Sequence, residues 1–372
     1  MSLVLNGTTG ITNLPSINSG QIGGRRNIVI NGEMKVAQRA TSATGKTGGT
    51  SGYFALDRWK LQDGTIGTAG RCTIAQIADG PAGFANCLKI SATTADTSID
   101  AREALILQTR FEGQDLQQLK KGTSSAEQVT VSFYVKGNAA ALYVCELHDV
   151  DNGRNNTQSF AVTTDWNRIE LTFAADTSDP LDDDTAVSLS LNFWLHSGSN
   201  YSGGTFASNT WADITLANTT AVANRTSIYD STNRTFFLTG VQMEIGSTAT
   251  EFEHRSFCEE YDLCKRYYYQ SYDLGVAAGT TSNAGAIMLY AITGNTFRYN
   301  IYFSPSMRAS PTMTFYNVED GTAGEMNREG AGGTSPEEIA ITFNSPKRAM
   351  LYNTNIGIAG NYYFHYTASA EL

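Results

Sequence analysis

The sequence predicts an all-β protein with a jelly-roll or β-sandwich domain, one linking helix and a second, smaller β-sandwich domain. Three observations lead to this prediction. Hydrophobic residues make up 41% of the 372 residues and charged residues only 17%, so a core can form beneath a surface of Thr, Ser, Asn and Gly. Thr favours pleated strands, and Asn and Gly allow the positive φ of tight turns. Short segments that alternate apolar and polar residues recur between such turns.

Residues 1–26 are predicted to be an N-terminal anchoring arm. They are rich in Gly, Ser, Thr and Asn and contain too few apolar side chains to bury a core of their own. Such a segment becomes ordered only against a partner. We therefore expect the arm to dock on another subunit or on a neighbouring protein of an assembly.

Residues 27–254 are predicted to form the jelly-roll domain. The clearest strand pattern is VTVSFYVK at residues 129–136. About ten short strands separated by regular turn signals are typical of a sandwich or a jelly roll. The predicted strands are residues 27–30, 53–61, 71–78, 87–91, 104–111, 129–136, 141–147, 158–162, 167–173, 187–195 and 236–244.

Residues 255–272 are predicted to be the linking helix. The segment 256–259 reads Ser-Phe-Cys-Glu, a capping box, and the apolar spacing after it predicts a helix from residue 257 to about residue 270. Residues 273–372 are predicted to form the smaller sandwich. Its strands are expected at residues 286–292, 297–303, 312–316, 339–343, 349–353 and 360–368, with an exposed loop over residues 321–338.

The composition argues against several classes of protein. The net charge of −10 and the lack of a long basic patch argue against nucleic-acid binding. No apolar run approaches the length of a transmembrane helix, and no signal peptide is recognised at the N-terminus, so we expect no membrane insertion and synthesis in a cytoplasm. The five cysteines include no Cys-x-x-Cys pair, which predicts reduced thiols.

No catalytic motif stands out, so the chain is predicted not to be an enzyme. There is no Gly-x-Ser-x-Gly nucleophile elbow and no phosphate-binding loop. The histidines are scattered, with no His-Glu-x-x-His pattern, and no zinc site is predicted from them. They are His148, His196, His254 and His365.

Two acidic clusters are candidate calcium sites. Asp149 and Asp151 lie in one cluster, and Asp182 and Asp184 lie in the other. Carboxylate oxygens are the hard ligands that Ca²⁺ prefers. The alternative is that each cluster is a solvated loop. No other cofactor is predicted.

Aromatic residues supply the candidate glycan site. Trp211 lies in a polar segment near Tyr201 and Asp213, and an exposed aromatic face beside polar side chains suits a sugar ring. The alternative is that Trp211 packs beneath its own loop or at a subunit contact. The other tryptophans lie in strand patterns and are predicted to be core: Trp59, Trp166 and Trp194.

Several stretches of the sequence carry specific motifs. The first is RNIVINGEMKVAQR at residues 26–39, followed by LDRW at 56–59. The second is VTVSFYVK at 129–136, with TDWNR at 164–168. The third is VQMEIGSTATEFEHR at 241–255, followed by CKRYY at 264–268. Together these stretches resemble a recurring pattern of phage tail and fibre proteins. In addition, FSPSMRASPTMTFY at 303–316 resembles a strand of the small C-terminal domain of those proteins.

The resemblance implies a structural virion component with a carbohydrate-binding-module-like jelly roll. Such a protein would be a tail fibre or a tail-associated protein that contributes to attachment to host cell-surface polysaccharide. It implies a homotrimer, contact with other virion proteins through residues 1–26, and a final location in the virion. No long coiled coil or repetitive shaft is recognised, which favours a short appendage. The alternatives are a stand-alone carbohydrate-binding protein and a polysaccharide depolymerase.

Overall fold

The structure is a computed structural model, and it describes residues 16–17, 20–21, 25–64, 69–292, 297–329, 336–353 and 356–372. Most of the predicted arm, residues 1–26, therefore lies outside the described residues. Within it, two short strands pair with each other, namely β1 (Ser16–Ile17) and β2 (Gly20–Gln21). The arm's docking on a partner stays a prediction.

Strands and helices are numbered in chain order. After β2 come β3 (Ser42–Lys46), β4 (Lys60–Asp63), β5 (Arg71–Ile77), β6 (Cys87–Thr94), β7 (Ala104–Glu112), β8 (Val129–Gly137), β9 (Ala141–Asp149), β10 (Arg154–Val162), β11 (Asn167–Phe173), β12 (Val187–Ser197), α1 (Ser199–Ser202), β13 (Ala212–Asp213) and β14 (Thr235–Ile245). Short 3₁₀ helices lie at Gly113–Asp115, Gln117–Leu119 and Leu216–Asn218.

The remaining elements are α2 (Phe257–Lys265), β15 (Tyr268–Gln270), β16 (Ile287–Ala291), β17 (Phe297–Tyr302), β18 (Thr312–Tyr316), β19 (Glu325–Arg328), β20 (Pro336–Glu338), β21 (Ala340–Asn344), β22 (Arg348–Asn353) and β23 (Gly360–Ser369). Among the described residues, no helix is long and apolar enough to span a lipid bilayer. The predicted all-β class is confirmed.

Two six-stranded antiparallel sheets form the jelly-roll part of the chain, which we call the first domain. The front sheet has the strand order β13-β10-β9-β12-β7-β4, and the back sheet has the order β11-β8-β14-β6-β5-β3. Their inner faces enclose one hydrophobic core. At its centre the ring of Phe133 from the back sheet meets Phe160 and Phe193 from the front sheet edge-on, at 5.2 and 5.0 Å between ring centroids.

Apolar and polar residues alternate along the strands of the front sheet, which gives the sheet one apolar and one polar face. In β12 the side chains of Leu191, Phe193 and Leu195 enter the core, and Asn192 and Trp194 lie on the other face. Successive residues of a strand point to opposite faces, so the same pattern recurs in β7 and β9. The predicted strands 71–78, 104–111, 129–136, 141–147, 167–173, 187–195 and 236–244 coincide closely with β5, β7, β8, β9, β11, β12 and β14.

Two strand predictions near the start of the first domain are wrong. Residues 27–30 are not a strand, because Asn27 and Asn31 satisfy backbone groups with their side chains; the Asn31 amide group, for example, bonds both Val36 and Asp57. Such local side-chain bonds compete with sheet pairing. Residues 53–61 are predicted as a strand, but β4 begins only at Lys60.

The linking helix is shorter than predicted. Helix α2 begins after Ser256, whose Oγ accepts a hydrogen bond from the backbone N–H of Glu259, as the capping box predicts. It ends at Lys265, and residues 268–270 form strand β15 instead. Pairing of β15 with β23 overrides the helical spacing in this Tyr-rich segment, because tyrosine also favours strands.

The second domain is built around β23. Strands β15, β16, β18 and β19 all pair with β23, and β17, β22 and β21 form a separate three-stranded sheet. These sheets enclose a second hydrophobic core. The prediction of an exposed loop over residues 321–338 is wrong at both ends, where β19 and β20 pair with each other; residues 330–335 lie outside the described residues.

A buried network of charges joins the two domains. The guanidinium of Arg39 pairs with Asp57 at 3.1 Å and with Glu371 at 3.0 Å. Arg58 also pairs with Glu371, and its guanidinium carbon lies 3.5 Å from the centroid of the Tyr267 ring. Glu371 follows β23, whereas Arg39, Asp57 and Arg58 belong to the first domain, so these ion pairs tie the segment after β23 to the first domain.

Candidate functional site

A cleft of about 310 Å³ lies on the outer face of the front sheet. Its floor comes from β4, β7, β9 and β12, and the segment after β13 supplies one wall. The lining residues are Gln62, Ile106, Gln108, Arg110, Glu146, His148, Val150, Val187, Ser190, Asn192, Trp194, Ile214, Leu216 and Thr219. We call this the front cleft.

Strand register places the floor residues in rows across the sheet. In the middle row Asn192 of β12 stands between Gln108 of β7 and Glu146 of β9. Residues directly opposite each other on one face of an antiparallel pair lie within side-chain contact. The two flanking rows are Ile106, Trp194 and Val144 on one side, and Arg110, Ser190 and His148 on the other.

Glu146 organises the middle of the front cleft. Its Oε2 accepts hydrogen bonds from Asn192 Nδ2 at 2.9 Å and from Trp194 Nε1 at 2.7 Å, and its Oε1 accepts one from Asn155 Nδ2 at 2.8 Å. Glu146 is 3% exposed. Hydrogen bonds to a buried carboxylate are stronger than those between neutral groups, so the indole and both amides are held in fixed orientations.

Two residues that line the front cleft each have a polar atom without a hydrogen-bond partner. Within the described part of the chain, Asn192 Oδ1 and Thr219 Oγ1 are buried without a hydrogen-bond partner. A buried acceptor without a partner costs about 1–3 kcal/mol, and a ligand hydroxyl could relieve that cost. Arg110 Nε donates to Gln108 Oε1 at 2.6 Å, which fixes a second polar pair on the floor.

The segment between β12 and β14 covers one end of this face. Tyr201 packs against Trp194 with 5.2 Å between ring centroids, and Phe206 and Val222 join the same small apolar cluster. Trp194 is consequently only 8% exposed although it lies on the outer face. Its indole forms an apolar wall beside the polar middle row.

The three predicted glycan-site residues take different positions. Tyr201 lies against Trp194 of the front cleft, as described above. Trp211 donates from Nε1 to the Ala174 carbonyl at 2.7 Å and lines a separate, much smaller cavity. Asp213 is exposed and pairs with Arg154 at 2.8 Å.

The carboxyl groups of Asp149, Asp151 and Asp184, three of the predicted calcium ligands, are engaged in local contacts. Asp149 is fully buried, with Oδ2 at 2.5 Å from Lys121 Nζ, so a cation already faces this carboxylate. Asp151 accepts a hydrogen bond from the backbone N–H of Asp182 at 2.9 Å, which brings these two loops together. Asp184 accepts one from the backbone of its own turn. Calcium binding here stays a prediction.

Sequence reasoning missed the polar floor of the front cleft. Glu146 and Asn192 each stand between two apolar residues in a strand pattern, and Gln108 stands between Leu107 and Thr109. The available signal was the coincidence of bulky polar residues in three such strands. Trp194 is buried as predicted, but in a small apolar cluster on the outer face of the front sheet and not in the main core.

Comparison with known proteins does not assign a family. No protein-family model matches the chain, and no curated protein matches it. Among solved structures, the family 11 carbohydrate-binding module of the cellulosomal cellulase Lic26A-Cel5E of Clostridium thermocellum aligns with 55% of this chain and 97% of its own, at 13% identity and a TM-score of 0.28. The N-terminal cellulose-binding domain of Cellulomonas fimi β-1,4-glucanase C aligns with 51% of this chain and 90% of its own, at 14% identity and a TM-score of 0.26.

A phage protein is also among the matches. The enzymatically active domain of tailspike protein 4 from bacteriophage CBA120 aligns with 51% of this chain but 19% of its own, at 13% identity and a TM-score of 0.27. These identities and scores are too low to carry an argument about function. The function is therefore argued from the front cleft.

Proposed function

We propose that the chain is a carbohydrate-binding protein that holds a segment of polysaccharide in the front cleft. The observation that carries this proposal is the hydrogen bonding of Glu146. Its carboxylate orients Asn192, Asn155 and the indole of Trp194 on the outer face of the front sheet. Sugars present hydroxyl groups around an apolar ring, and a site with fixed polar groups beside an aromatic wall complements both. The volume of about 310 Å³ falls within the range of ligand sites.

We propose that the protein binds polysaccharide without hydrolysing it. Glycoside hydrolysis ordinarily uses two carboxyl groups on either side of the bond that breaks. Among the described residues that line the front cleft, Glu146 is the sole carboxylate, and both of its oxygens already accept hydrogen bonds. This favours a binding module over a depolymerase.

We further propose that this binding serves host-surface attachment by a phage virion, as a homotrimeric tail fibre or tail-associated protein. The support is the sequence resemblance. The motif residues Arg39, Asp57 and Arg58 belong to the network that joins the domains, and none of them lines the front cleft. The motifs thus concern the architecture of the protein, while the cleft residues would select the ligand.

Glycan-array binding followed by calorimetric titration tests the cleft proposal. We expect Gln108→Ala to weaken binding by about tenfold, since losing one hydrogen bond costs about 1.4 kcal/mol. The matched control is Gln76→Ala on the back sheet, whose side chain bonds the carbonyls of Met34 and Lys35; it should leave affinity unchanged. Absence of any glycan ligand, or equal affinities for all three proteins, would overturn the proposal.

The absence of hydrolysis and the virion role can each be tested separately. Incubating the bound polysaccharide with the protein should release no reducing ends, and release that depends on Glu146 would instead establish a depolymerase. Gold-labelled antibody against the chain should decorate the tails of purified phage particles. Particles that lack the chain would contradict the virion role and leave the cleft proposal standing.

A further inference from the structure

A second cluster of ligand-type side chains lies outside the front cleft, at one end of the front sheet. It contains Asp96 from the loop after β6, Glu103 immediately before β7, and His196 near the end of β12. One possible ligand atom from each lies within 4.8 Å of the other two. All three residues are at most 5% exposed. The cluster is therefore enclosed by protein.

The imidazole of His196 is aimed at the two carboxyl groups. Its side chain is completely buried, and Nδ1 lies 2.8 Å from Ser227 Oγ. Nε2 is buried without a hydrogen-bond partner and lies 3.5 Å from Glu103 Oε2. The ring of Tyr229 packs edge-on against the imidazole at 5.3 Å. These contacts fix the ring and leave Nε2 as the atom that a ligand would meet.

Backbone hydrogen bonds fix the two carboxyl groups. Asp96 accepts from the N–H groups of Ala69 and Ser98, at 2.9 and 3.2 Å, and Glu103 accepts from that of Asp100 at 3.1 Å. No Lys or Arg among the described residues forms an ion pair with Asp96 or Glu103. Arg225, the cation whose charge acts on His196, donates to Ser197 instead. Two buried carboxyl groups thus face an imidazole with no cation paired to them.

We propose that Asp96, Glu103 and His196 bind a divalent first-row transition-metal ion such as Zn²⁺. One imidazole nitrogen and two carboxylate oxygens form a ligand set that suits zinc, while Ca²⁺ and Mg²⁺ prefer oxygen ligands alone. The contact of Nδ1 with Ser227 is the outer-shell support that orients a metal-binding histidine. The ion would neutralise the carboxylates and tie the loop after β6 to the ends of β7 and β12.

Zinc titration against a competing chelator tests the site in the full-length protein after removal of bound metal. We expect one zinc ion per chain that depends on this cluster, and His196→Gln should weaken its binding by more than about 100-fold, because even loss of an outer-shell partner costs 10–100-fold. The control is His365→Gln. His365 is also buried, but its ring nitrogens are both within 2.9 Å of partners, Ser271 Oγ and the Ser282 carbonyl.

Two further measurements keep the proposal falsifiable if His196→Gln does not fold. Asp96→Asn should lose the same zinc ion, and anomalous diffraction at the zinc edge of wild-type crystals should place the ion beside His196 Nε2. Zinc binding that is equally tight in His196→Gln, an anomalous peak elsewhere, or no binding at micromolar zinc would overturn the proposal. None of these results depends on the front cleft, so failure of the zinc proposal would leave the glycan proposal unaffected.

Discussion

At the residue scale, a single buried carboxylate determines how the front cleft is arranged. Glu146 accepts hydrogen bonds from side chains on both neighbouring strands, β10 and β12. Without it, the amide of Asn192 and the indole of Trp194 would lose their shared acceptor. The polar floor and the aromatic wall therefore depend on one residue.

Replacing Glu146 should destabilise the protein as well as the cleft. We expect Glu146→Ala to lower the free energy of unfolding by about 1–3 kcal/mol for each buried donor left without a partner. Urea denaturation measures this change. Glu170→Ala is the control, because the Glu170 side chain on β11 is half exposed, and it should change stability by less than about 0.5 kcal/mol. Equal stabilities of the two variants would contradict the central role of Glu146.

The buried charge of Asp57 should make stability depend on pH. Burial raises the pKa of Asp57 to about 6, although Arg39 beside it favours the charged form. Because the folded-state pKa lies above the unfolded value of about 3.9, the folded state binds more protons between these values. The stabilisation from Asp57 is therefore present below about pH 4 and is lost as the pH rises through about 6.

Comparing the wild type with Asp57→Asn isolates the contribution that ionisation of Asp57 makes to stability. The unfolding free energy of the wild type relative to the variant should fall by on the order of 3 kcal/mol between about pH 4 and pH 7. Chemical denaturation at a series of pH values measures the difference. A difference that stays constant over this range would show that Asp57 titrates normally in the folded protein.

At the element scale, a bulge in β14 shapes the back sheet. The register of β14 against β8 shifts between Thr239 and Gln242, and Gly240 within the shift has φ of +60°. A Cβ at Gly240 would lie 2.8 Å from the ring of Phe84 and 2.9 Å from that of Tyr134. Glycine is therefore required here both by the backbone conformation and by the lack of space.

Gly240→Ala should be more destabilising than the same change at Gly45. Gly45 has a similar φ of +63°, but nothing lies within 4 Å of the position that an added Cβ would take. Gly45→Ala therefore measures only the free energy needed to hold alanine at a positive φ, about 1 kcal/mol. The ring contacts at Gly240 should add about 1–3 kcal/mol. Thermal denaturation of both variants measures the difference. Equal losses would mean that Phe84 and Tyr134 move aside freely.

Elements that alternate cleanly could be predicted from the sequence, and those governed by tertiary contacts could not. Residues 129–136 alternate throughout and form β8 as predicted. Residues 268–270 carry a helical spacing but pair with β23, a partner that lies about a hundred residues away along the chain and that no local pattern reveals. The segment 27–30 looks like a strand, but Asn27 and Asn31 replace its ladder with side-chain bonds.

At the scale of the whole molecule, the two domains are coupled by charge. Arg58 is 1% exposed and depends on Glu371, the residue before the last, for its counter-charge. Arg58 also donates to the carbonyl of Arg110, a residue of the front cleft, at 2.6 Å. Contacts at the junction between the domains thus extend to β7, one of the strands that form the floor of the front cleft.

Removing that counter-charge should uncouple the domains. We expect Glu371→Gln to lower the free energy of unfolding by about 3–5 kcal/mol, the cost of leaving a buried charge unpaired. Calorimetry should show one melting transition for the wild type and two for the variant. Glu319→Gln, an exposed position in the second domain, is the control and should melt like the wild type. A single unshifted transition for Glu371→Gln would show that the junction does not couple the domains.

The sites depend on strand order, which the sequence does not reveal. The floor of the front cleft combines β9, β12, β7 and β4, which are neighbours in the sheet but not in the chain. The cluster of Asp96, Glu103 and His196 likewise joins residues that share no sequence motif. Alternation along the sequence predicted most of these strands, but not which side chains of different strands meet.

A structure of the protein with a bound oligosaccharide would show directly whether the front cleft binds sugar. The oligosaccharide should be the tightest ligand found on the array. We expect its sugar ring to lie in the front cleft beside Trp194, with hydroxyl groups bonded to Asn192 and Gln108. A sugar bound elsewhere, for example beside Trp211 with the front cleft unoccupied, would contradict it.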